Sequence, residues 1–582
     1  MKVKEHKFNN LDALRKHIFL FRLLLCFIVC FSLGICMNQY RLPMPVYTGL
    51  LSVLFILFLV GYYFAVKKYK RYEILLRLVL INVILFFVVY IVFYEITLIV
   101  NDFSLLWQLI IVAIPTGIVL FDVIYTGYNY RRGKITGTDI IYLISFLTFL
   151  FRAMYALYNP ISNVSRQHDT IAFTNGGGHL GYIWHIWAYS KIPDVDPRTL
   201  WEFYQPPLYY LICGYWTKIY TILHIPIIES AENIQFFSLF CVTSTGIVMD
   251  GILKRIGGNI KSRLMGMLIF SIIPLFTYLG GSVNNDALLL FLFFLSLYEV
   301  IVWYQDGGIG RLILSAVFTG LTVMTKISGS LIVFPILVLF LSKLIKKKDG
   351  KLLLQYLLFG VISLPLGLWW NVRNSCRFGM PFIYFHEASR ESVQFIPDFS
   401  IMNRLFDMKN QLNHPYIDIF NSSPNVDHNL IISTVKTLVF TSSADVMLSL
   451  ITQILGWILL FLTIIGMLYG LVLLVIDGIK YLCSEKQVSE YTIAFISLIV
   501  SQLVFYLYFN YAHTFVHNMH ARYIMPAIIA FGIFFSKSFG LPVDNRFGIS
   551  GKIRNRIIVS IKCAYGILIS AFIMLISLMT FQ

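Results

Sequence analysis

Charged residues are scarce in this chain. Only 13% of its 582 residues are Asp, Glu, Lys or Arg, whereas 58% are hydrophobic, and a soluble domain averages roughly 25% charged residues. Apolar runs of about 20 residues, the length that crosses the hydrocarbon core of a bilayer, recur from one end of the sequence to the other. The composition argues against a soluble protein and predicts an all-α polytopic membrane protein.

Acidic residues are scarcer than basic ones, since 29 Asp and Glu stand against 46 Lys and Arg, which gives a net charge of +17. In a soluble protein this excess would point to a nucleic-acid partner. Here the basic residues cluster in short loops between apolar runs, as the positive-inside rule requires of cytoplasmic loops. We therefore expect these basic loops to face the headgroups of the membrane, and we expect no nucleic-acid partner.

Cysteine pairs with metal-binding spacing are absent from the sequence. The eight cysteines are scattered, mostly inside apolar runs, and none belongs to a CxxC pair. The pattern predicts neither a disulfide framework nor a zinc cluster.

The apolar runs predict about 15 membrane spans. One further run, residues 206–224, is also apolar enough, but a span there would put the basic loops at 254–263 and 343–351 outside the cell. We therefore predict that 206–224 forms an interfacial helix, opened by Pro206 and Pro207, with its aromatic side chains in the headgroup layer. The predicted spans cover about 17–37, 44–66, 73–100, 103–125, 138–158, 233–253, 262–280, 284–304, 311–327, 329–345, 352–372, 448–477, 489–510, 522–540 and 559–580.

This topology divides the chain into three parts. Residues 1–130 are predicted to form an N-terminal bundle of four extra spans, residues 131–540 the domain that carries the chemistry, and residues 541–582 a cytoplasmic basic loop with the last span. Two long polar segments, 159–232 and 371–447, fall on the outer side of the membrane. Because long polar loops in compact domains are usually functional, we expect the chemistry on the outer face.

The first outer segment contains a candidate for acid–base chemistry. Asp169 follows soon after a predicted span, next to His168 and close to Arg166. A carboxylate beside an apolar wall can act as a general base toward a hydroxyl, and the two neighbouring side chains can tune its pKa. The alternative is a solvated loop aspartate without a catalytic role.

Further charged candidates stand at the predicted outer ends of spans. Asp286 begins a span, where it either caps the helix or faces a site. Arg522, followed by Tyr523, suits a lipid phosphate because a guanidinium binds two oxygens at once, although an arginine at this depth also reaches headgroups by snorkelling. Lys326 and Arg373 lie at two other outer span ends.

Three histidines in the last outer loop have the i, i+4, i+7 spacing that would place them on one face of a helix, namely His513, His517 and His520. A bound divalent metal is one interpretation of this spacing. The spacing alone does not require a metal, so no residue is predicted as a ligand.

The candidate residues occur in short motifs whose order resembles that of a known group of enzymes. The motifs are His168-Asp169, His179-Leu-Gly-Tyr182, Tyr204-Gln-Pro-Pro-Leu-Tyr209, Asn285-Asp286, Thr325-Lys326 and Ala521-Arg522-Tyr523-Ile-Met-Pro526. Over about 138–540 the set resembles the GT-C superfamily of membrane glycosyltransferases. Within it, the set is similar to the family 39-like members, which include protein O-mannosyltransferases and bacterial aminoarabinose transferases. Gln205 stands where the aminoarabinose transferases have a charged residue, so the resemblance does not fix the substrate.

The resemblance implies a GT-C-like helical bundle that moves a sugar from a polyprenyl-phosphate donor to a lipid, glycan or protein acceptor on the outer face, with inversion. By this analogy Asp169 is the catalytic base, with His168 and Asp286 beside it. The donor phosphate would contact Arg522, Lys326, Arg373 and Arg166. The substrates would contact His179, Tyr182, Tyr204, Gln205, Tyr209 and Tyr523.

Two alternatives to this activity stay open, a lipid-linked sugar flippase or transporter and a non-catalytic protein that binds polyprenyl phosphate. Transporters place charges near the middle of the membrane, whereas here the polar residues gather outside, which favours an enzyme. Abundant Ile, Lys, Phe and Asn indicate a bacterial plasma membrane.

Overall fold

The fold is built from helices. The computed structural model of the chain describes residues 19–34, 73–99, 104–161, 172–386, 389–396, 399–417, 427–440, 449–483, 489–539 and 551–581. Within those ranges the pairing of extended segments is limited to one antiparallel bridge, between Phe395 and Phe515. The predicted all-α class is confirmed.

The helices of the described ranges are numbered in chain order. They are α1 (Phe19–Gly34), α2 (Glu73–Ile99), α3 (Leu105–Arg131), α4 (Gly137–Tyr158), α5 (Gly178–Tyr189), α6 (Leu208–Ile222), α7 (Ile227–Glu232), α8 (Ile234–Arg255), α9 (Ile260–Ile272), α10 (Pro274–Gly280), α11 (Asn285–Asp306), α12 (Ile309–Thr325), α13 (Val333–Lys347), α14 (Lys351–Phe378), α15 (Ile401–Phe406), α16 (Leu430–Val439), α17 (Leu450–Cys483), α18 (Glu490–Ala512), α19 (Met525–Phe539) and α20 (Gly551–Phe581).

Many of these helices are long and apolar enough to cross a membrane. The described residues contain eight such helices, or nine if α9 and α10 are counted as one bent span. Shorter apolar helices, among them α1 and α12, coincide with other predicted spans. The chain is therefore a multi-pass membrane protein, as predicted. The count of about 15 stays a prediction, and the predicted span 44–66 lies outside the described residues.

One predicted span is broken. The run 262–280 was expected to form a single span, but α9 ends at Ile272 and α10 begins at Pro274, with a bend of 65° between them. Proline has no backbone N–H and clashes with the preceding turn, so it begins a new helix more readily than it continues one. Hydropathy alone does not register this break.

Helix α6 is short, as expected for an interfacial helix. It begins directly after Pro206 and Pro207 and has 15 residues. At 1.5 Å per residue it is roughly 22 Å long, less than the roughly 30 Å of a hydrocarbon core. The expectation for its aromatic side chains was wrong for most of them, because Tyr209, Tyr210 and Trp216 are buried in the protein and only Tyr215 is about half exposed.

Helix α11 occupies the centre of the bundle. It packs against α12 and α8, and α12 in turn packs against α14. Of the most apolar window of α11, 83% is buried inside the protein. Its first residues, Asn285 and Asp286, are themselves buried, so the helix starts in the interior of the bundle.

The two ends of α11 differ in charge. Its last residue, Asp306, pairs with Arg255 of the basic 254–263 loop at 2.8 Å, and nearby Lys346 pairs with Glu490 at 2.9 Å. Helix α11 spans roughly 33 Å, so these basic loops lie at the end of the bundle opposite to Asn285. The bundle is polarised in the way that the positive-inside rule requires.

Candidate active site

A cleft of about 990 Å³, counting its open mouth, lies where the non-basic ends of several helices meet. The ends of α11, α12, α14 and α18 contribute to its walls, together with three connecting segments. It is lined by His179, Trp201, Glu202, Tyr204, Gln205, Pro206, Asn284, Asn285, Lys326, Ile327, Ser328, Asn371, Met380, Tyr384, Phe385, His386, Phe505, Phe509, His517, Asn518, Arg522 and Tyr523. Six of the predicted site residues are among them.

Asp286 and Lys326 form a largely buried ion pair, in which Lys326 is the member that lines the cleft. Lys326 Nζ donates to Asp286 Oδ1 at 2.7 Å, and the two side chains are 13% and 2% exposed. Asp286 Oδ2 is also buried and has no hydrogen-bond partner within the described residues. The carboxylate reaches a smaller adjoining cavity, which Lys326, Arg522 and Tyr523 also line.

The helix cap at this position is Asn284. Its side-chain oxygen accepts a hydrogen bond from the backbone N–H of Asp286 at 2.8 Å. The interpretation of Asp286 as the capping residue was therefore wrong. Because Asn284 satisfies the free N–H, the Asp286 carboxylate is left to pair with Lys326.

Arg522 lies on a short 3₁₀ helix, Ala521–Ile524, which follows a second one at Val516–Met519. Its Nη2 donates to the Tyr523 hydroxyl at 3.0 Å, and Lys326 Nζ lies 5.3 Å from the centre of the Tyr523 ring. Thr437 of α16 accepts the backbone N–H of Ala521 at 2.8 Å. The second outer segment thus fixes the backbone that presents Arg522.

A stack of aromatic rings supports the first outer segment beneath the cleft. Tyr182 lies between Tyr210 and Phe203, with ring centres 4.0 Å and 4.6 Å away. His179 Nδ1 and the Tyr210 hydroxyl are joined by a hydrogen bond of 2.9 Å. Burial raises the pKa of Tyr182 and of Tyr210 well above the ordinary value, so both phenols stay protonated.

The predicted substrate-binding residues therefore divide into two groups. His179, Tyr204 and Gln205 line the cleft. Tyr182 and Tyr209 are fully buried and are not part of its lining, so the structure gives them a packing position beneath the cleft instead of a place on its surface.

Arg373 does not line the cleft either. Its Nη2 lies 3.1 Å from Asp194 Oδ1, and Arg377 Nη2 lies 2.6 Å from the other oxygen of the same carboxylate. Arg373 also donates to the backbone oxygen of Pro193 at 3.1 Å. These contacts join the end of α14 to the 190–199 loop, so Arg373 lies outside the lining of the cleft and its role as a phosphate contact stays a prediction.

The three histidines of the last outer loop do not share a helix face. His513 follows α18, His517 lies on the first 3₁₀ helix, and His520 lies between the two 3₁₀ helices. His517 bonds Gln394 at 2.7 Å instead. Within the described ranges no three His, Cys, Asp or Glu side chains are grouped as a metal site would need.

Sequence reasoning missed several residues of the cleft, notably Trp201, Glu202, Tyr384 and His386. Glu202 is buried, with 4% exposure, and has a positive φ of 68°. The sequence does show an acidic residue three positions before Gln205. The burial of Glu202, however, depends on the turn of the backbone, which the sequence does not show. Tyr384 and His386 belong to the second outer segment. No local sequence pattern indicates that this segment packs against the first one.

The remaining predicted residues, Arg166, His168 and Asp169, lie outside the described residues. Their roles rest on the sequence. The described residues on either side of this gap are Ile161 and Ala172, and Ala172 precedes His179 of the cleft by seven residues. The backbone N–H of Ile161 donates to Glu232 Oε2 at 2.9 Å.

Comparison with known proteins supports the predicted resemblance. The family model described as dolichyl-phosphate-mannose-protein mannosyltransferase matches residues 216–395, a range that includes Asp286, Lys326 and His386. No curated protein matches the chain.

Two solved structures of ArnT from Cupriavidus metallidurans are similar to the chain. The one bound to undecaprenyl phosphate is 14% identical, with a TM-score of 0.37, and the match covers 71% of this chain and 63% of ArnT. The one in the apo state is 12% identical, with a TM-score of 0.31, over 67% of this chain and 75% of ArnT. The chain thus spans less than two thirds of the length of the first.

The family match agrees with the resemblance predicted from the sequence. The chain is a multi-pass, all-helical membrane protein that is similar, over residues 216–395, to the protein O-mannosyltransferase family of GT-C glycosyltransferases.

Proposed function

We propose that the protein is a glycosyltransferase that moves a sugar from a polyprenyl-phosphate donor to an acceptor hydroxyl at the extracytoplasmic face of a bacterial plasma membrane, with inversion. The observation that carries the proposal is the meeting of Lys326 and Arg522 in one cleft. They are far apart in the sequence, and their meeting places two basic side chains in one cleft of a chain that has few charged residues.

The two cations suit a phosphate that leaves with growing negative charge. Such charge is stabilised by donors that are already in position before the reaction. Arg522 is held against Tyr523, and Lys326 is held by Asp286. Asp286 offsets one of the two positive charges, and it positions the Lys326 ammonium, which keeps two N–H groups for phosphate oxygens. Asp286 then acts through Lys326, and not as a second base.

Asp169 is the proposed general base. It would take the proton of the acceptor hydroxyl as the oxygen attacks the anomeric carbon, while the donor phosphate departs from the opposite face of the sugar. One direct displacement gives inversion. His168 and Arg166, its neighbours in the sequence, would tune its acidity. Lipids, glycans and proteins all offer a suitable hydroxyl.

The polarity of the bundle supports the proposed sidedness of the reaction. The cleft lies at the end of α11 opposite to the Arg255–Asp306 pair, and basic loops face the cytoplasm. Every described residue of the proposed site falls within 131–540. We propose that this part is the catalytic domain, and that 1–130 and 541–582 are additions to it.

Binding of undecaprenyl phosphate to the purified protein in nanodiscs, followed by native mass spectrometry, tests the phosphate site. The Arg522→Ala variant removes charge-assisted hydrogen bonds worth about 1.5–3 kcal/mol each, so affinity should fall roughly 10- to 100-fold. Arg377→Ala, which removes an arginine outside the cleft, is the matched control and should bind like the wild type. Equal binding by the Arg522 variant would refute the proposed site.

A further inference from the structure

Glu202 has an unusual backbone for a residue with a side chain. Its φ of 68° is in the left-handed region, which is unfavourable for residues other than glycine. Hydrogen bonds hold the turn on both sides, since Gln205 N donates to Glu202 O at 3.1 Å and Gly178 N donates to Trp201 O at 2.9 Å. Strain of this kind persists where surrounding structure enforces it, and it concentrates at functional sites.

The strained turn places Glu202 in the lining of the cleft. Glu202 is 4% exposed and lines the cavity, with its Oε2 3.9 Å from His179 Nδ1. Carboxylates are rarely this buried without a compensating role. In a cleft they accept hydrogen bonds from substrate hydroxyl groups, and these charge-assisted bonds are stronger than neutral ones.

Aromatic rings share the lining of the cleft with this carboxylate. The Trp201 and His386 rings meet edge to face with centres 4.8 Å apart, and the Tyr204 ring lies nearly parallel to that of His386 at 6.4 Å. Burial lowers the pKa of His386, so its imidazole is neutral at pH 7 and offers both a donor and an acceptor. Flat aromatic faces beside hydrogen-bonding groups match a sugar, whose ring has a face of C–H groups and an edge of hydroxyls.

This aromatic wall is separate from the cationic part of the cleft. Lys326, Arg522 and Tyr523 line both the cleft and the smaller cavity that adjoins it, whereas Trp201 and Glu202 line only the cleft. An anionic group and a neutral polyhydroxyl group would therefore be recognised at different places in one continuous space.

We propose that Trp201, Glu202 and His386 form a saccharide-binding subsite. A sugar ring stacks its C–H face on Trp201, donates a hydroxyl hydrogen bond to the Glu202 carboxylate, and exchanges hydrogen bonds with neutral His386. The proposal rests on the proposed glycosyltransferase function and deepens it. The sugar is that of the lipid-linked donor or that of a glycan acceptor, and both present the same chemistry.

Saturation-transfer NMR with methyl α-D-mannopyranoside and methyl β-D-glucopyranoside, on the full chain in nanodiscs, tests the subsite. Wild-type protein should transfer saturation to the sugar ring protons. The Glu202→Gln and Trp201→Leu variants should each reduce this transfer at least fivefold. Absence of transfer from the wild type, or wild-type transfer from both variants, would overturn the proposal.

A second pair of variants separates recognition from folding. Glu202→Gly removes the carboxylate and also relieves the left-handed strain, so its unfolding temperature should match or exceed that of the wild type while sugar binding is lost. Lys348→Gly relieves a similar strain, at a φ of 48° in an exposed residue outside the cleft, and should keep full sugar binding. If Glu202→Gly keeps wild-type sugar binding, the carboxylate has no recognition role.

Two further measurements identify the sugar and separate this proposal from the proposed function. Undecaprenyl-phosphate mannose should displace the methyl glycosides if the subsite holds the donor sugar, and should leave their signal intact if it holds an acceptor; either result supports the subsite. Undecaprenyl phosphate itself should bind the Glu202→Gln variant as it binds the wild type. If the Glu202→Gln variant loses sugar binding but still binds undecaprenyl phosphate, the result concerns the subsite only. If the wild type does not bind undecaprenyl phosphate, the result contradicts the proposed function alone.

Discussion

Replacing Lys326 by methionine should destabilise the protein strongly. The substitution keeps the length of the side chain but leaves the Asp286 carboxylate, which is 2% exposed, without its partner at 2.7 Å. Its second oxygen has no hydrogen-bond partner within the described ranges to compensate. Removing one member of a buried ion pair costs about 3–5 kcal/mol, and we expect a loss of stability in that range.

The companion variants isolate this cause. Lys326→Met combined with Asp286→Leu removes both charges and should recover most of the lost stability, because an apolar pair of similar volume often replaces a buried ion pair without cost. The double variant should still bind undecaprenyl phosphate more weakly than the wild type, since the cation is gone. Lys346→Met removes a lysine from an exposed pair with Glu490 and should change stability by no more than about 1 kcal/mol.

Thermal unfolding in detergent, followed by intrinsic fluorescence, measures these differences as shifts of the unfolding temperature relative to the wild type. The single Lys326→Met variant should unfold several degrees below the wild type, and the double variant close to it. If the single variant unfolds at the wild-type temperature, the Lys326–Asp286 pair is not the source of this stability, because Asp286 is then solvated or protonated without Lys326.

Three further predictions concern other parts of the site. Arg522→Lys keeps the charge but loses the guanidinium fork, so undecaprenyl phosphate should bind with an affinity between those of the wild type and Arg522→Ala in the native mass spectrometry assay. Burial lowers the folded pKa of His386 below the ordinary value of about 6.5, so methyl glycoside binding should be constant above pH 7 and weaken only as the pH falls through that lowered pKa; binding that weakens as the pH rises from 6.5 to 8 would contradict recognition by the neutral imidazole. A Cβ at Gly181 would collide with the carbonyl oxygen of Gly176, whereas one at Gly310 meets nothing within 4 Å, so Gly181→Ala should lower the unfolding temperature and Gly310→Ala should not.

The helices were predictable where the chain obeys simple rules. Apolar runs predicted the interiors of α11 and α14, and the pair Pro206 and Pro207 predicted the start of α6. The same rules failed at Pro274, because hydropathy averages over a run and does not register a local break. Charge patterning identified the polar end of the bundle because basic loops mark only one side of a membrane.

The site was predictable only in part. Lys326 and Arg522 stand out because positive charge is scarce at the outer ends of spans. Arg373 shares that signal, yet it pairs with Asp194, a partner that no local pattern reveals. Glu202 was missed because its place in the cleft depends on a left-handed backbone, which sequence indicates for glycine but not for glutamate.

The proposed reaction transfers a sugar from a polyprenyl-phosphate donor, with Asp169 as the base. Its most direct test is turnover in proteoliposomes by wild-type protein and by the Asp169→Asn variant, with the lipid-linked sugar that accumulates in cells lacking the protein as the donor. The anomeric configuration of the product is read by NMR. We expect one inverted product, and a turnover that is about 10²- to 10⁴-fold lower in the variant. Near wild-type turnover by a folded Asp169→Asn protein, or retention of configuration, would contradict it.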